Sequence, residues 1–202
     1  MSDETTRRPG NYGKHHPTDT DRADGIEPIS HNGGVDNHKL RIRSICGRDD
    51  PALAQIIRND LSSFGLDVPG TAYFDPELDH LNLFYTQREN RHYYVIEDES
   101  GQALGGAGIA EIAQTPGTAE FQKLYLSDAA RGHHMGYALI ARVEEFAATH
   151  GYKWLYVETH HRMAAANHIY VRSGFHRIDG PLAGSVHGAA MDRFYIKEVP
   201  HS

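Results

Sequence analysis

The stretch Leu124-Tyr125-Leu126-Ser127-Asp128-Ala129-Ala130-Arg131-Gly132-His133-His134-Met135-Gly136 decides the fold of this chain, because it joins a strand to a helix through a loop with glycines. A helix N-terminus presents unpaired backbone N–H groups and the positive end of the helix dipole, so it binds anions readily. Arg131 adds a positive charge, and Gly132 and Gly136 let the backbone approach a phosphate closely. The loop lacks the Gly-Lys-Ser/Thr of a Walker-type site. One interpretation is a pyrophosphate site, and the other is a tight loop without a ligand.

Strands and helices alternate on both sides of this loop. Alternating polarity predicts strands at 40–45, 92–97, 103–112, 118–126, 154–159, 175–178 and 193–197. Apolar residues at helical spacing predict helices after Asp50, from Pro76 onward, after Gly136 and over 163–173. The run Gly105-Gly106-Ala107-Gly108 belongs to a strand, since no helix opens after it. The strands 118–126 and 154–159 should be parallel, because a helix connects them through a right-handed crossover.

The composition describes one globular domain with a polar extension. The chain has 202 residues, of which 39% are apolar, and a net charge of −7. Residues 1–38 are polar and aperiodic, which predicts a disordered tail, or alternatively a partner-binding arm, ahead of a domain at 39–202. The negative charge argues against nucleic acid and anionic membranes as partners, and no apolar run approaches the roughly 20 residues of a membrane helix. The single cysteine, Cys46, excludes an intramolecular disulfide and favours a cytoplasmic location.

Two motifs of the second half carry a family resemblance. The apolar-Tyr-apolar end of one strand leads into Arg-x-x-His-x-Gly at 131–136, and Ala166, Tyr170, Gly174 and Phe175 follow downstream. Together they resemble the signatures of the GNAT superfamily of N-acetyltransferases. The resemblance implies an α/β fold of the α+β type: a mixed, mostly antiparallel sheet of about seven strands, flanked by helices, with a splayed parallel pair of strands. Two positions depart from the pattern, since His134 replaces the first signature glycine and Met163 stands where many members have Asn.

The resemblance implies acetyl-CoA as the acetyl donor, with its pantetheine arm between strands 118–126 and 154–159. The residues expected to contact this cofactor are Leu124, Tyr125, Leu126, Arg131, Gly132, His133, His134, Met135, Gly136 and Tyr137. A backbone N–H near 124–126 would bind the thioester oxygen as negative charge develops on it. The amine would attack the thioester directly, and the tetrahedral intermediate would expel the CoA thiolate without an acyl-enzyme.

Glu120 and Tyr170 are the candidate catalytic residues. An amine is mostly protonated at neutral pH, so a base must accept its proton before attack. Strict alternation would place Glu120 on the same face of its strand as Leu124 and the other even-numbered positions, barring a bulge. A solvated or ion-paired Glu120 is the alternative, with His92 or Glu111 as the base instead. Tyr170, by family resemblance, would protonate the departing thiolate, and a core tyrosine with a satisfied hydroxyl is the alternative.

The acceptor is expected to be a primary amine, by preference on a small molecule. In the family its pocket is built by the first helices, their loop and the last strands, which here hold Asp60, Asp67, Tyr73, Phe74, Asp75, Glu77, Asp79 and the loop 180–187. These acids favour a cationic acceptor, although helix caps and solvated faces would explain them too. An amino acid, an aminoglycoside-like drug and a protein amino group stay open, as does a homodimer. A non-catalytic acyl-CoA-binding or sensing module is the alternative function.

A metal is not expected, although the chain has 15 histidines. The pairs His133-His134 and His160-His161, the latter beside Glu158, offer suitable ligand atoms. Adjacent histidines in a strand point to opposite faces, however, and no His-x-x-x-His motif with a supporting carboxylate is present.

Overall fold

The computed structural model describes residues 39–200, which form a seven-stranded sheet flanked by four α-helices. The strands are β1 (Arg41–Ser44), β2 (His92–Glu97), β3 (Ala103–Glu111), β4 (Thr118–Leu126), β5 (Trp154–Thr159), β6 (His176–Ile178) and β7 (Arg193–Glu198). The helices are α1 (Asp50–Ser63), α2 (Leu81–Thr86), α3 (Met135–Thr149) and α4 (Ala164–Arg172). The fold class expected from the sequence is confirmed. The predicted tail, 1–38, lies outside the described residues.

The sheet opens between its two parallel strands. Its order is β1-β2-β3-β4-β5-β7-β6, and every neighbouring pair is antiparallel except β4 and β5. The β4–β5 ladder pairs Thr118 with Trp154, Ala119 with Leu155 and Glu120 with Tyr156, and it ends there. The remaining residues of both strands diverge, so the expected splayed pair leaves a gap on the carboxyl side of Glu120.

Helices cover both faces of the sheet. On one face, α3 buries the stripe Leu139, Ile140, Val143 and Ala147, as its helical spacing predicts. On the other face, α1 buries Leu53, Ala54, Ile57 and Leu61 against aromatic side chains from α2 and β2. Within residues 39–200, no helix combines the length and the apolar character needed to cross a bilayer.

A β-bulge in β4 changes the direction of its side chains. Gln122 pairs with Gly108 and Tyr125 with Gly106, so two residues of β4 lie opposite a single residue of β3. Lys123, within the bulge, has a φ of 51°, in the left-handed region. The Tyr93 hydroxyl donates to the Lys123 carbonyl at 3.0 Å and holds this conformation.

The alternation expected along β4 is therefore wrong beyond the bulge. Glu120 and Gln122 face the α1–α2 side, where the Tyr85 hydroxyl donates to Gln122 Oε1 at 2.9 Å. Leu124 and Leu126 pack instead against the core on the α3 side. Glu120 and Leu124 thus lie on opposite faces of the sheet, and both reach the gap between the splayed strands because the gap is open to both faces.

Candidate functional site

Two adjoining cavities occupy the gap beside β4. The apolar cleft, of about 410 Å³, runs between the carboxyl end of β4 and the N-terminal ends of α3 and α4. The polar cavity, of about 40 Å³, lies on the α1–α2 side of β4 and β5. Leu124 and Met163 line both spaces, so a ligand that fills the apolar cleft would present its inner end to the polar cavity at these two residues.

The apolar cleft collects most of the residues predicted to contact a cofactor. Those that line it are Leu124, Leu126, Arg131, Gly132, His134, Met135, Gly136 and Tyr137. His133 lies outside the lining, and the Tyr125 side chain packs into the core on the α1 side, so only its backbone is available to the cleft. In the described chain, the N–H groups of Met135 and Gly136 donate to no backbone carbonyl, whereas that of Tyr137 donates to His134. These free donors at the start of α3 are suited to an anion.

The loop before α3 explains the departure at His134. His134 caps α3 with a φ of 58°, in the left-handed region, where glycine is preferred. A side chain there costs about 1–2 kcal/mol, which this chain tolerates. Gly136 has another function, since a Cβ at this position would lie 2.6 Å from Cδ1 of Ile169. The glycine thus permits close packing of α3 on α4.

Arg131 is half-exposed at the mouth of the apolar cleft and is already ion-paired. Its guanidinium binds the carboxylates of Asp60 and Asp128, the latter at 2.9 Å. Burial raises the pKa of Asp60, and the charge of Arg131 opposes that rise. A phosphate would therefore compete with two carboxylates for this side chain, a constraint that the loop sequence does not reveal.

Glu120 lies in the polar cavity as a buried carboxyl group. Only 5% of the residue is exposed, and its Oε2 accepts a hydrogen bond from the Gln122 amide at 2.8 Å. Burial, with a further contribution from the negative charge of Glu158, raises the pKa of Glu120 to about 7. A carboxyl group with this pKa takes up and releases a proton near neutral pH, which is what a general base requires.

Glu158 and His187 complete the wall of the polar cavity opposite β4. The Tyr156 hydroxyl donates to Glu158 Oε1 at 2.9 Å, and the His187 backbone N–H donates to Glu158 Oε2 at 3.0 Å. One carboxylate oxygen from Glu120, one from Glu158 and one ring nitrogen of His187 all lie within 4.8 Å of one another. The polar cavity thus gathers three titratable groups at the end of the β4–β5 ladder.

Lys123 anchors a buried ion network beside these groups. Its side chain is 2% exposed and binds Asp75 and Glu77, and Asp75 also binds Nε2 of His187 at 2.8 Å. Burial alone would lower the pKa of Lys123, but Asp75 and Glu77 outweigh it and raise that pKa. Burial would likewise lower the pKa of His187, but its hydrogen bond to Asp75 outweighs it, and the pKa is raised. The network thus connects Asp75 and Glu77, before α2, with His187, in the loop before β7.

Tyr170 belongs to the core on the α3 side of the sheet and also reaches the polar cavity. Its ring packs edge-on against Phe121, with centroids 5.9 Å apart, and the residue lines the polar cavity. Burial raises the pKa of Tyr170 well above its usual value, so its hydroxyl keeps its proton at neutral pH. A hydrogen-bond donor is therefore available close to Leu124 and Met163.

The alternative bases lie elsewhere. Glu111 accepts hydrogen bonds from Arg88 and Arg91, and the two arginines outweigh burial and lower its pKa. His92 stacks near Phe146 on the α3 side, where burial lowers its pKa. Neither residue lines the polar cavity.

Among residues 39–200, two groups of side chains offer ligand atoms close enough for a metal ion. One is Glu120, Glu158 and His187, in the polar cavity, and the other is His160, His161 and Asp192. The strand argument against His160 and His161 is wrong, because both follow the end of β5 and their ring centroids are 4.2 Å apart. In the second group, His161 Nδ1 and Asp192 Oδ2 are within hydrogen-bond distance of each other, at 2.6 Å.

The sequence patterns did not point to Lys123, included His187 only as the last residue of the pocket loop 180–187, and pointed to Glu158 only as a neighbour of the histidine pair. A lysine between Gln122 and Leu124 in a buried strand is a signal of a bulge or a buried ion pair. Glu158 occupies β5 two residues beyond Tyr156, the partner of Glu120, so the parallel register alone places it near that carboxyl group. His187 carries no such signal, because its position depends on the path of a long loop.

Comparison with known proteins gives a consistent result. A sequence model described as the acetyltransferase (GNAT) family matches residues 55–175. The uncharacterized N-acetyltransferase YjgM of Escherichia coli (strain K12) is 34% identical over 148 residues, which cover 72% of this chain and 87% of that protein.

Solved structures share the fold at low sequence identity. A GNAT-family acetyltransferase from Staphylococcus aureus Mu50 superposes with a TM-score of 0.68 at 16% identity, covering 80% of this chain and 99% of that one. The PaiA N-acetyltransferase of Thermoplasma acidophilum, in complex with coenzyme A, gives 0.60 at 16% identity, covering 79% and 99%. A phosphinothricin acetyltransferase from Sinorhizobium meliloti, in complex with acetyl-CoA, gives 0.61 at 20% identity, covering 79% and 88%.

Proposed function

This chain belongs to the acetyltransferase (GNAT) family, and on that premise we propose that it moves an acetyl group from acetyl-CoA directly to the primary amine of a small molecule. Family membership makes it an acyl-CoA-dependent acyltransferase. The observation that carries the finer proposal is a buried carboxyl group, with a pKa of about 7, beside the inner end of an apolar cleft.

The apolar cleft is the proposed site of the donor. The pyrophosphate would bind the free N–H groups at the start of α3, and the pantetheine arm would lie between the diverging ends of β4 and β5. Two neighbours of the same fold were solved in complex with coenzyme A and with acetyl-CoA, which supports a ligand of this class. The thioester would then lie near Leu124, beside the bulge, where a backbone N–H would bind the developing oxyanion.

Glu120 and Tyr170 divide the proton transfers between them. Glu120, ionised, takes a proton from the ammonium form of the acceptor, and the neutral amine attacks the thioester carbon. The C–N bond forms, and the tetrahedral intermediate collapses with cleavage of the C–S bond. The Tyr170 hydroxyl transfers its proton to the leaving sulfur, and the resulting tyrosinate regains a proton from the nitrogen, which loses one as the amide forms. The products are an amide, CoA and one proton released from Glu120.

A thiol-release assay with acetyl-CoA and a panel of primary amines tests the function. We expect CoA release that depends on both the amine and the protein, with the acetylated amine identified by mass spectrometry. Binding of CoA, measured by calorimetry, without turnover of any amine would instead support a non-catalytic acyl-CoA-binding module. The cytoplasmic location, the homodimer and the absence of nucleic acid among the partners stay predictions.

The Tyr170→Phe variant tests the proton donor. Loss of a general acid typically lowers a rate by about 100-fold or more, so we expect a fall of about 100-fold in kcat. CoA affinity should stay within about twofold, because the ring contacts with Phe121 survive the change and a twofold difference is well under 1 kcal/mol. Tyr195→Phe is the matched control, since it removes another hydroxyl from the same aromatic cluster. Equal rates for Tyr170→Phe and the parent enzyme would show that the hydroxyl has no part in the reaction.

A further inference from the structure

Two carboxylates of the polar cavity have no cationic partner within the part of the chain that the structure describes. Oε2 of Glu120 accepts the Gln122 amide at 2.8 Å, and its Oε1 has no protein donor among those residues. Glu158 accepts the Tyr156 hydroxyl and the His187 backbone N–H. All of these donors are uncharged. Glu120 and Glu158, here called the carboxylate pair, therefore lie close together without a direct salt bridge to either from the described residues, and the ring of His187, within 4.8 Å of both, is hydrogen-bonded to Asp75.

The basic groups of the cavity already have acidic partners. Lys123 binds Asp75 and Glu77, and the His187 ring binds Asp75. Lys123, and His187 when its ring is protonated, thus face the two anions Asp75 and Glu77 in that part of the cavity. The carboxylate pair has no such basic partner among the described residues. The cavity that it lines adjoins the inner end of the apolar cleft at Leu124 and Met163.

An ammonium ion is the natural complement of such a pair, because it supplies positive charge and three N–H donors. Resting on the function proposed above, we infer that the acceptor binds as an ammonium ion against the carboxylate pair, and that it is an alkylamine without a carboxylate on the carbon that bears the nitrogen. Glu158 is then a specificity-determining residue, which holds the ammonium while Glu120 takes its proton.

The surroundings of the pair disfavour α-amino acids. The other walls of the polar cavity include Ala72, Phe121, Met163 and Met191, which suit an alkyl chain. A carboxylate next to the amine would enter this space beside two like charges. Lys123 offers it no partner, since its side chain is 2% exposed and its ammonium is taken by two acids. Like charge without a compensating cation disfavours binding strongly at such short range.

Matched acceptors test this inference. Pentylamine differs from norleucine, and phenethylamine from phenylalanine, only by the carboxylate, and phenylalaninamide keeps the bulk of phenylalanine without its charge. We expect kcat/KM to be at least about 100-fold higher for each amine than for its amino acid, a difference of about 2.7 kcal/mol, with phenylalaninamide close to phenethylamine. An amino acid that is as good a substrate as its amine would overturn the inference and leave acetyl transfer intact.

Calorimetry with the enzyme–CoA complex distinguishes a failure of this inference from a failure of the proposed acetyl transfer. Amines that bind this complex more tightly than their amino acids, yet are not acetylated, would support the ammonium site and refute the acetyltransferase mechanism. If none of the amines binds the complex, the inference is wrong. If phenylalaninamide is rejected as strongly as phenylalanine, steric exclusion and not charge sets the selectivity, and the inference is also wrong.

The Glu158→Gln variant tests the second carboxylate directly. We expect KM for the amine to rise about 10-fold or more, as for loss of a charged hydrogen bond. The pH dependence of kcat/KM should also move to lower pH, because removal of the neighbouring negative charge lowers the pKa of Glu120, the base that must be ionised. Glu158→Asp, which keeps the charge, should preserve most of the amine affinity, and Glu99→Gln, in the exposed turn before β3, is the surface control. A lower rate with an unmoved pH profile would show a merely structural role for Glu158.

Discussion

Replacement of Glu120 by Gln should lower kcat/KM about 100- to 1000-fold at neutral pH, the usual consequence of losing a general base. In the parent enzyme kcat/KM should rise with pH through about 7, because Glu120 acts in its ionised form. The variant lacks that rise, and its rate depends on the free amine already in solution. Its deficit should therefore shrink as the pH approaches the pKa of the amine, about 10 for an alkylamine. Steady-state kinetics between pH 6 and pH 9 measure both effects.

The stability of this variant separates chemistry from misfolding. The pKa of Glu120 is raised from 4.5 to about 7, so the folded state is penalised as the pH rises above 4.5, and the penalty is complete above about 7. The glutamine side chain avoids this penalty. We therefore expect the free energy of unfolding of Glu120→Gln at pH 8 to exceed that of the parent by up to about 3 kcal/mol, with unfolding at a higher denaturant concentration. Glu145→Gln, on the exposed side of α3, is the control. A destabilised Glu120→Gln, or one with parental activity, would contradict the assignment.

Replacement of Lys123 by Met should destabilise the protein by about 3 kcal/mol at neutral pH, because removing one member of a buried ion group leaves the others uncompensated. Asp75 and Glu77 would lose their shared cation, and Asp75 would keep only His187. His187 and Lys123 outweigh burial and lower the pKa of Asp75. The contribution of ionised Asp75 to stability is therefore present at neutral pH. It is lost in acid, as the pH falls through the lowered pKa of Asp75.

Urea denaturation measures this change. Lys153→Met, at an exposed position before β5, is the matched control and should alter the free energy of unfolding by less than about 0.5 kcal/mol. The difference between the two variants should narrow at low pH, where Asp75 is protonated. A loss under about 1 kcal/mol for Lys123→Met at pH 7 would show that the network adds little to stability.

Most of the fold follows from local signals in the sequence. The bounds of β2, β4 and β5 agree with the runs of alternating polarity that predict them, and α4 is shorter by one residue at each end. Gly151 and Gly174 have positive φ angles after α3 and α4, as helix-ending glycines do. The short helix expected from Pro76 begins as a 3-10 turn at Leu78–His80, and α2 follows it.

The candidate site is less predictable, because two of its determinants are not local. The bulge at Lys123 depends on a left-handed backbone and on the Tyr93 hydroxyl from another strand, so alternation alone misplaced Leu124 relative to Glu120. His187 reaches the site through a long loop and is held there by Asp75. By contrast, Glu158 follows from the β4–β5 register once that pairing is known. Sequence patterns thus identified Glu120 as a candidate but not the environment that sets its pKa.

The short β4–β5 ladder also bears on how this protein can change during evolution. With three paired positions at the join, the sheet consists of a four-stranded part and a three-stranded part, each antiparallel within itself. The first part carries Glu120, and the second carries Glu158 with the loop that bears His187. Substitutions or insertions in that loop can reshape one wall of the polar cavity while the strand that bears Glu120 is conserved. New acceptor preferences can therefore arise without rebuilding the proton-transfer machinery.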